Sequence, residues 1–249
     1  MPRMPSIAVI AAYLFVDIDD TEVLRERLHS LAAAAAIKGT VIIAREGINA
    51  FLAGPQAALQ SWLDALREDP RFSAIPVKWS RAASLPFRHL RVKCKREIIR
   101  MDQPTVRPGS QRASAVDATT LKRWLDAGHC DEGRPVLLLD TRNSFEVEHG
   151  AFDHAVEWKL NKFSDFPAAL AAHRDELVGK TVVSYCTGGI RCEKATLWMR
   201  AQGIAHVHQL DGGILKYFEE LGSAGHAPHF KGKCFVFDER ETLDASLQA

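Results

Sequence analysis

Within the twelve residues TVVSYCTGGIRC, 181–192, stand a thiol at the end of an apolar run, two glycines, an arginine and a second thiol. The thiolate, not the thiol, is the nucleophile, and a free cysteine titrates near ~8.5. Residues 181–185 are β-prone and lead into Cys186, and a helical pattern follows. In a parallel α/β sheet, sites form at the carboxyl ends of strands. Gly188 and Gly189 permit backbone conformations that other residues avoid, so Thr187 to Arg191 can curl round the sulfur. Their N–H groups then converge at the N-terminus of a helix beginning near Cys192, an arrangement that holds anions. Such surroundings bring a thiol down to roughly 3.5–7.5. Cys186 is therefore expected to be a thiolate at neutral pH. The loop of Thr187, Gly188, Gly189, Ile190 and Cys192 suits a thiolate, a persulfide or a bound oxyanion, with Arg191 holding the negative charge. A buried cysteine beside a tight turn is the plain alternative. Cys192 is read as packing or loop support, with a disulfide to Cys186 as its other use.

Outside this loop the signals are weaker. The stretch RAASLPFRHLRVKCKREIIR carries Arg81, Arg88, Arg91, Lys93, Lys95, Arg96 and Arg100 against Glu97. On an extended strand Arg91, Lys93 and Lys95 share one face. That stripe suits RNA phosphates, with Phe87 and His89 available to bases. It equally suits a solvated edge strand whose lysines block aggregation. In AREGIN, Arg45, Glu46 and Asn49 form either a hairpin turn or a substrate contact. A non-haem iron triad needs two histidines and a carboxylate. His129–Asp131 has the H-x-D spacing but falls in an expected helix-to-strand loop. His206 and His208 alternate along an expected strand as packing or surface residues, and His226, His229 and Cys234 read as a loop. No metal site is assigned. No G-x-G-x-x-G opens a helix, so no dinucleotide site is signalled and no cofactor is evident.

Two sets of elements are needed to position these residues. Residues 7–17 read as a strand, and a helix starts at Asp20/Thr21 and stops at Gly39. Two strands follow, joined near Glu46–Gly47, then a helix opened by Pro55 and closed before Pro70, then two extended stretches. This β-α-β-β-α-β order is the ferredoxin-like (acylphosphatase-like) pattern. After a Pro/Gly/Ser-containing linker, helices at 118–127, 167–178, 192–202 and from 214 alternate with short apolar strands at 135–140, 181–186 and 206–210. That alternation implies a parallel sheet covered on both faces. The expected boundaries are 1–101 for the first domain, 102–116 for the linker, 117–225 for the second domain and 226–249 for a C-terminal segment. The 249 residues, 47% hydrophobic and 25% charged, suit two globular domains. Net charge is +1, so any attraction to nucleic acid is local. No run of about 18 apolar residues exists, so no membrane span is expected. The N-terminus lacks a small-residue cleavage site and reads as a first strand rather than a signal peptide. Five cysteines with no CxxC suit reduced thiols in the cytoplasm. No element pattern speaks to oligomeric state.

The spacing C-x-x-G-x-R, fitting Cys186, Gly189 and Arg191, resembles the active-site loop of rhodanese sulfurtransferases. Related phosphatase loops place the arginine one residue later, where this chain has Cys192, so the loop is sized for sulfur rather than phosphate. LLLDTRNSFEVEHGAFDHAV and HQLDGGILKY resemble other rhodanese segments, in which Asp140 and Arg142 are expected to pair structurally. Together with GTVIIAREGINAFLAG and FKGKCFVFDER, SYCTGGIRCEKA resembles the rhodanese-containing tRNA uridine hydroxylase family over nearly the whole chain. The resemblance implies oxygen-dependent hydroxylation at carbon 5 of the wobble uridine of tRNA, with molecular oxygen as co-substrate. It implies tRNA and a sulfur donor as partners, and Cys186, as a persulfide, as the active-site residue. Longer members carry a cysteine-containing extension after FVFDER; this chain stops at Ala249, and a metal or partner site there is expected to be missing. A plain sulfurtransferase carrying sulfur on Cys186 is the first alternative, and a non-catalytic rhodanese-like binding module the second.

Overall fold

The computed structural model describes residues 7–111 and 114–249, which fall into two compact units. Residues 112 and 113 of the expected linker, and residues 1–6 of the N-terminus, lie outside the described residues. The first unit holds residues up to Ile98 together with Phe237–Arg240. Its elements are β1 (Ile7–Phe15), α1 (Thr21–Ala34), β2 (Lys38–Ala44), β3 (Gly47–Gly54), α2 (Gln56–Arg67), β4 (Val77–Ala82) and β5 (Leu90–Cys94). The strand order is β4-β1-β3-β2-β5. β1 to β4 are antiparallel neighbours, and β5 adds an edge strand parallel to β2. Leu59, Trp62, Leu63 and Leu66 recur along one face of α2, and Leu24, Leu28 and Ala32 along one face of α1. Both faces bury against Ile10, Val41, Ile43, Ala50 and Leu52 of the sheet, and the Trp62 indole N–H donates to the Leu28 carbonyl (3.2 Å).

The helix expected to run to Gly39 stops at Ala34. Ala36 turns left-handed (φ 53°), and Gly39 lies inside β2. The AREGIN turn has a structural job. The Glu46 carboxylate accepts from the Ile98 N–H (2.8 Å), while the Asn49 amide donates to the Ile98 carbonyl (3.4 Å). Phe237–Arg240 also belongs to this unit, where Arg240 donates to the Ser80 hydroxyl (2.8 Å) and Arg88 pairs with Glu239 (2.7 Å).

The second unit contains β6 (Ala115–Val116), α3 (Ala118–Ala127), β7 (Val136–Asp140), α4 (Ser144–Val147), β8 (Gly150–Phe152), β9 (Val156–Glu157), α5 (Phe166–His173), β10 (Thr181–Tyr185), α6 (Ile190–Ala201), β11 (Val207–Leu210), α7 (Gly213–Leu221), β12 (Phe230–Gly232), β13 (Cys234–Phe235) and β14 (Thr242–Leu243). Its main sheet, β6-β11-β10-β7-β9, is parallel throughout. β10 is buried at every position, as a central strand covered on both faces must be. Val183, Tyr185 and Leu138 pack toward α3 and α7, whereas Val182, Leu137 and Leu139 pack toward α5 and α6. The helix expected over 167–178 is α5 followed by a 3-10 turn over Arg174–Leu177. β12 pairs with β8, so part of the HAPHFKGKC stretch read as loop is strand.

Candidate active site

Cys186 follows directly on β10, the central strand, so its position is fixed by the best-buried element of the sheet. The Thr141 N–H and hydroxyl both donate to the Tyr185 carbonyl (3.0 and 2.9 Å), clamping the strand end to the neighbouring β7. The next carbonyls, of Cys186 and Thr187, accept from the Ile214 and Leu215 N–H groups in the first turn of α7 (3.0 Å each). With its carbonyls engaged by α7, the loop turns N–H groups toward the sulfur. The Gly189 N–H donates to Cys186 Sγ at 3.1 Å. Gly189 does so at φ 98°, and α6 starts one residue later, at Ile190 rather than near Cys192. Gly188 has no such conformation and open space where a Cβ would lie, so only one of the two loop glycines is required by geometry. The other required glycine is Gly213 (φ 67°), where a Cβ would come within 2.4 Å of the Cys186 carbonyl oxygen and 2.8 Å of the Gly189 nitrogen.

Cys186 is fully buried. Burial alone pushes a thiol up. Here it is outweighed by hydrogen bonding from the Cys192 thiol, the Arg191 guanidinium charge, and the Arg191 and Gly189 backbone N–H groups, which bring Cys186 down to about 5. Cys192 moves the opposite way. Burial raises its pKa, and so do the hydrogen bond to Cys186 and the charge there, so it stays a protonated donor. It lies on the third position of α6, within 3.6 Å of the Thr141 hydroxyl.

Arg191 is buried and its two terminal nitrogens fork onto the Glu146 carboxylate (2.5 and 2.8 Å). Glu146 has no exposed surface and also accepts from the Asn143 N–H (3.0 Å), capping α4. A buried guanidinium needs such a counter-charge, because a lone buried ion costs several kcal/mol, roughly 3–5 when one partner is removed. Asp140 and Arg142 form a second buried pair (2.6 Å). Arg142 also donates to the Gly150 carbonyl (2.7 Å), so this pair braces the end of β7 against β8. On α6, the buried Lys194 ammonium donates to the Ile99 carbonyl (3.0 Å) at the start of the unit.

The comparisons with known proteins follow the same division. The family model described as "UPF0176 acylphosphatase like domain" matches residues 7–98, and that of the rhodanese-like domain matches residues 117–220. A tRNA uridine(34) hydroxylase of Variovorax paradoxus is 57% identical over 246 residues, 99% of this chain and 92% of that protein. Proteins of the same name from Bordetella petrii and Cupriavidus necator are 56% and 53% identical, covering 95% and 84% of their own lengths. This chain belongs to the tRNA uridine(34) hydroxylase family. In this member the first unit is the acylphosphatase-like, ferredoxin-like domain and the second the rhodanese domain.

The remaining expected residues fall in different places. Arg91 and Lys93 are exposed on β5 on either side of the buried Val92, and the exposed Lys95 follows just past the strand end, its N–H held by the Ile43 carbonyl (2.8 Å). β5 is an edge strand, so the three cations line an open border of the first unit's sheet. Asp131 pairs with Arg123, and half-buried His208 packs edge-on against Trp124. His229 pairs with Asp126 (2.7 Å) and Cys234 is buried. Among the described residues no three His, Cys, Asp or Glu side chains group as a metal site. None of their helices is long and apolar enough to cross a membrane. Sequence reasoning passed over Glu146 and Gly213, although both stand in the segments it singled out. The signal was a carboxylate in a stretch that must be buried, and a second glycine where one suffices to end a strand.

Proposed function

We propose that this protein hydroxylates carbon 5 of uridine 34 in tRNA with molecular oxygen as co-substrate, and that Cys186 is the reactive centre. The observation that carries this reading is the joint one: near-full-length identity of 53–57% to relatives of that name, with a cysteine loop intact enough to hold an anionic sulfur. Cys186 supplies the sulfur nucleophile, as thiolate or, after accepting sulfur from a donor, as persulfide. The Gly189 and Arg191 N–H groups bind the negative charge in either form. Arg191, held by Glu146, contributes positive potential. The exposed cations Arg91, Lys93 and Lys95 bind tRNA phosphates. Five free thiols fit a reducing, cytoplasmic setting.

A sulfurtransferase reading is favoured by one specific feature, the C-x-x-G-x-R spacing that closes the loop tightly on sulfur. Nucleoside mass spectrometry of tRNA from cells with and without the gene separates the two. Loss of 5-hydroxyuridine and its derivatives is the expected result. Unchanged nucleosides together with brisk turnover of thiosulfate would select sulfur transfer instead.

A further inference from the structure

The fold exposes aromatic surface beside the buried sulfur. Phe145 is 43% exposed and is the one exposed Phe, Tyr or Trp among the described residues of the rhodanese unit. It immediately precedes Glu146, whose carboxylate holds both terminal nitrogens of Arg191. The Phe145 ring meets Phe235 edge to face, with centroids 5.2 Å apart and planes at 89°. The exposed His149 ring lies over Phe235 at 5.3 Å and 32°. The Phe235 carbonyl in turn receives a long contact from the Thr187 hydroxyl (3.5 Å), the residue after Cys186. The aromatic group is thus tied to the cysteine loop twice, through Glu146 to Arg191 and through Phe235 to Thr187. The Lys233 N–H donates to the His149 carbonyl (2.8 Å), so an exposed lysine borders the same patch.

We infer that Phe145 and His149, propped by Phe235, are the platform on which the pyrimidine base of the RNA substrate stacks as it is presented to the Cys186 loop. The inference rests on the hydroxylase reading for the identity of the RNA. An enzyme that works on a base takes it out of its stack and replaces the lost neighbours with aromatic side chains. Stacking is indifferent to base edges, so the patch positions a pyrimidine ring and leaves its identity to other contacts. Lys233 provides charge for the adjoining phosphate. Phe145 is a positioning residue here and takes no part in sulfur chemistry.

Two measurements on the full-length protein test this. Phe145→Ala should lower kcat/KM for tRNA hydroxylation roughly 5- to 150-fold, the range expected for one lost base–aromatic stack. Phe145→Trp should restore it, and thermal unfolding should barely move in either variant. In parallel, tRNA carrying 4-thiouridine at position 34 should photocrosslink to the peptide containing residues 145–149. Unchanged kcat/KM in Phe145→Ala, or crosslinks confined to other peptides, overturns the platform. So would a Phe145→Ala protein that loses only sulfur loading from a donor protein, which would make the patch a protein-docking surface. Crosslinking at 145–149 by a wild-type enzyme that forms no 5-hydroxyuridine would support the platform and refute the reaction instead.

Discussion

The carboxyl end of β10 and the outer border of β5 are both rich in charge, and they treat it in opposite ways. Around Cys186 the key charges are buried and held: Arg191 by Glu146, Arg142 by Asp140, and the sulfur in part by the Gly189 N–H. Along β5, Arg91, Lys93 and Lys95 are exposed, and no carboxylate among the described residues forms an ion pair with them. Buried charge is costly unless partnered, so it fixes geometry and shifts pKa. Exposed charge is cheap and screened, so it acts additively on a polyanion and little on the fold. On the proposed function, the first region would serve chemistry on one atom and the second attraction over a length of backbone.

Removing the sulfur should break the first region most sharply. Cys186→Ser keeps the turn, yet its hydroxyl forms neither a stable anion nor a persulfide at neutral pH. Hydroxylation of tRNA should fall to background while circular dichroism and thermal unfolding stay close to wild type; normal 5-hydroxyuridine levels would remove Cys186 from the mechanism. Next in size is Glu146→Gln, which leaves the Arg191 guanidinium without its buried counter-charge. It should destabilise the rhodanese unit by about 3–5 kcal/mol in denaturant titration. The Cys186 pKa should fall rather than rise, because the sulfur becomes the nearest anion to Arg191. Unchanged stability would show that Glu146 is not carrying that charge.

Gly213→Ala should cost less, about 1–3 kcal/mol, for a left-handed residue with a side chain forced onto the Cys186 carbonyl. Displacing the loop weakens the N–H contacts to sulfur, so its thiolate titration should shift upward. A variant with wild-type stability and titration would mean that α7 does not shape the loop. The smallest effect belongs to β5. Substituting Arg91, Lys93 and Lys95 together by glutamine should reduce the log–log salt slope of tRNA binding by about 2. It should leave cysteine reactivity untouched. An unchanged slope and affinity would make the stripe a solvated edge only.

The strand-to-helix thiol was legible because its signals are local. An apolar run, a glycine with positive φ and an arginine at fixed spacing all lie between Thr181 and Arg191. Alternating short strands and helices likewise revealed the parallel sheet, since burial on both faces leaves β10 no polar exposed position. What stayed hidden depends on distant pairing. Nothing near Arg191 announces that Glu146, 45 residues earlier, neutralises it, or that the amides of Ile214 and Leu215 orient the loop carbonyls. The lowered pKa of Cys186 is expected from its loop, but the opposite, upward direction of Cys192 is invisible in sequence. Both thiols are buried at one helix start, and their difference comes from Cys192 donating to Cys186, from the Arg191 charge, and from the backbone N–H groups that Cys186 receives. The early end of α1 was missed because an alanine run favours helix, yet Ala36 takes a left-handed φ and returns the chain into β2.

The central claim is that the fold keeps an anionic sulfur at Cys186 at neutral pH. Ultraviolet thiolate absorbance of the wild type minus Cys186→Ser, followed across pH, reads it directly. A single step with its midpoint near pH 5 is expected. The folded pKa lies below that of the unfolded thiol. The thiolate's contribution to stability is therefore complete above the unfolded value, about 8.5, and is lost as pH falls through about 5. A midpoint at about 8.5 or higher, the value of an ordinary or buried thiol, would contradict the account.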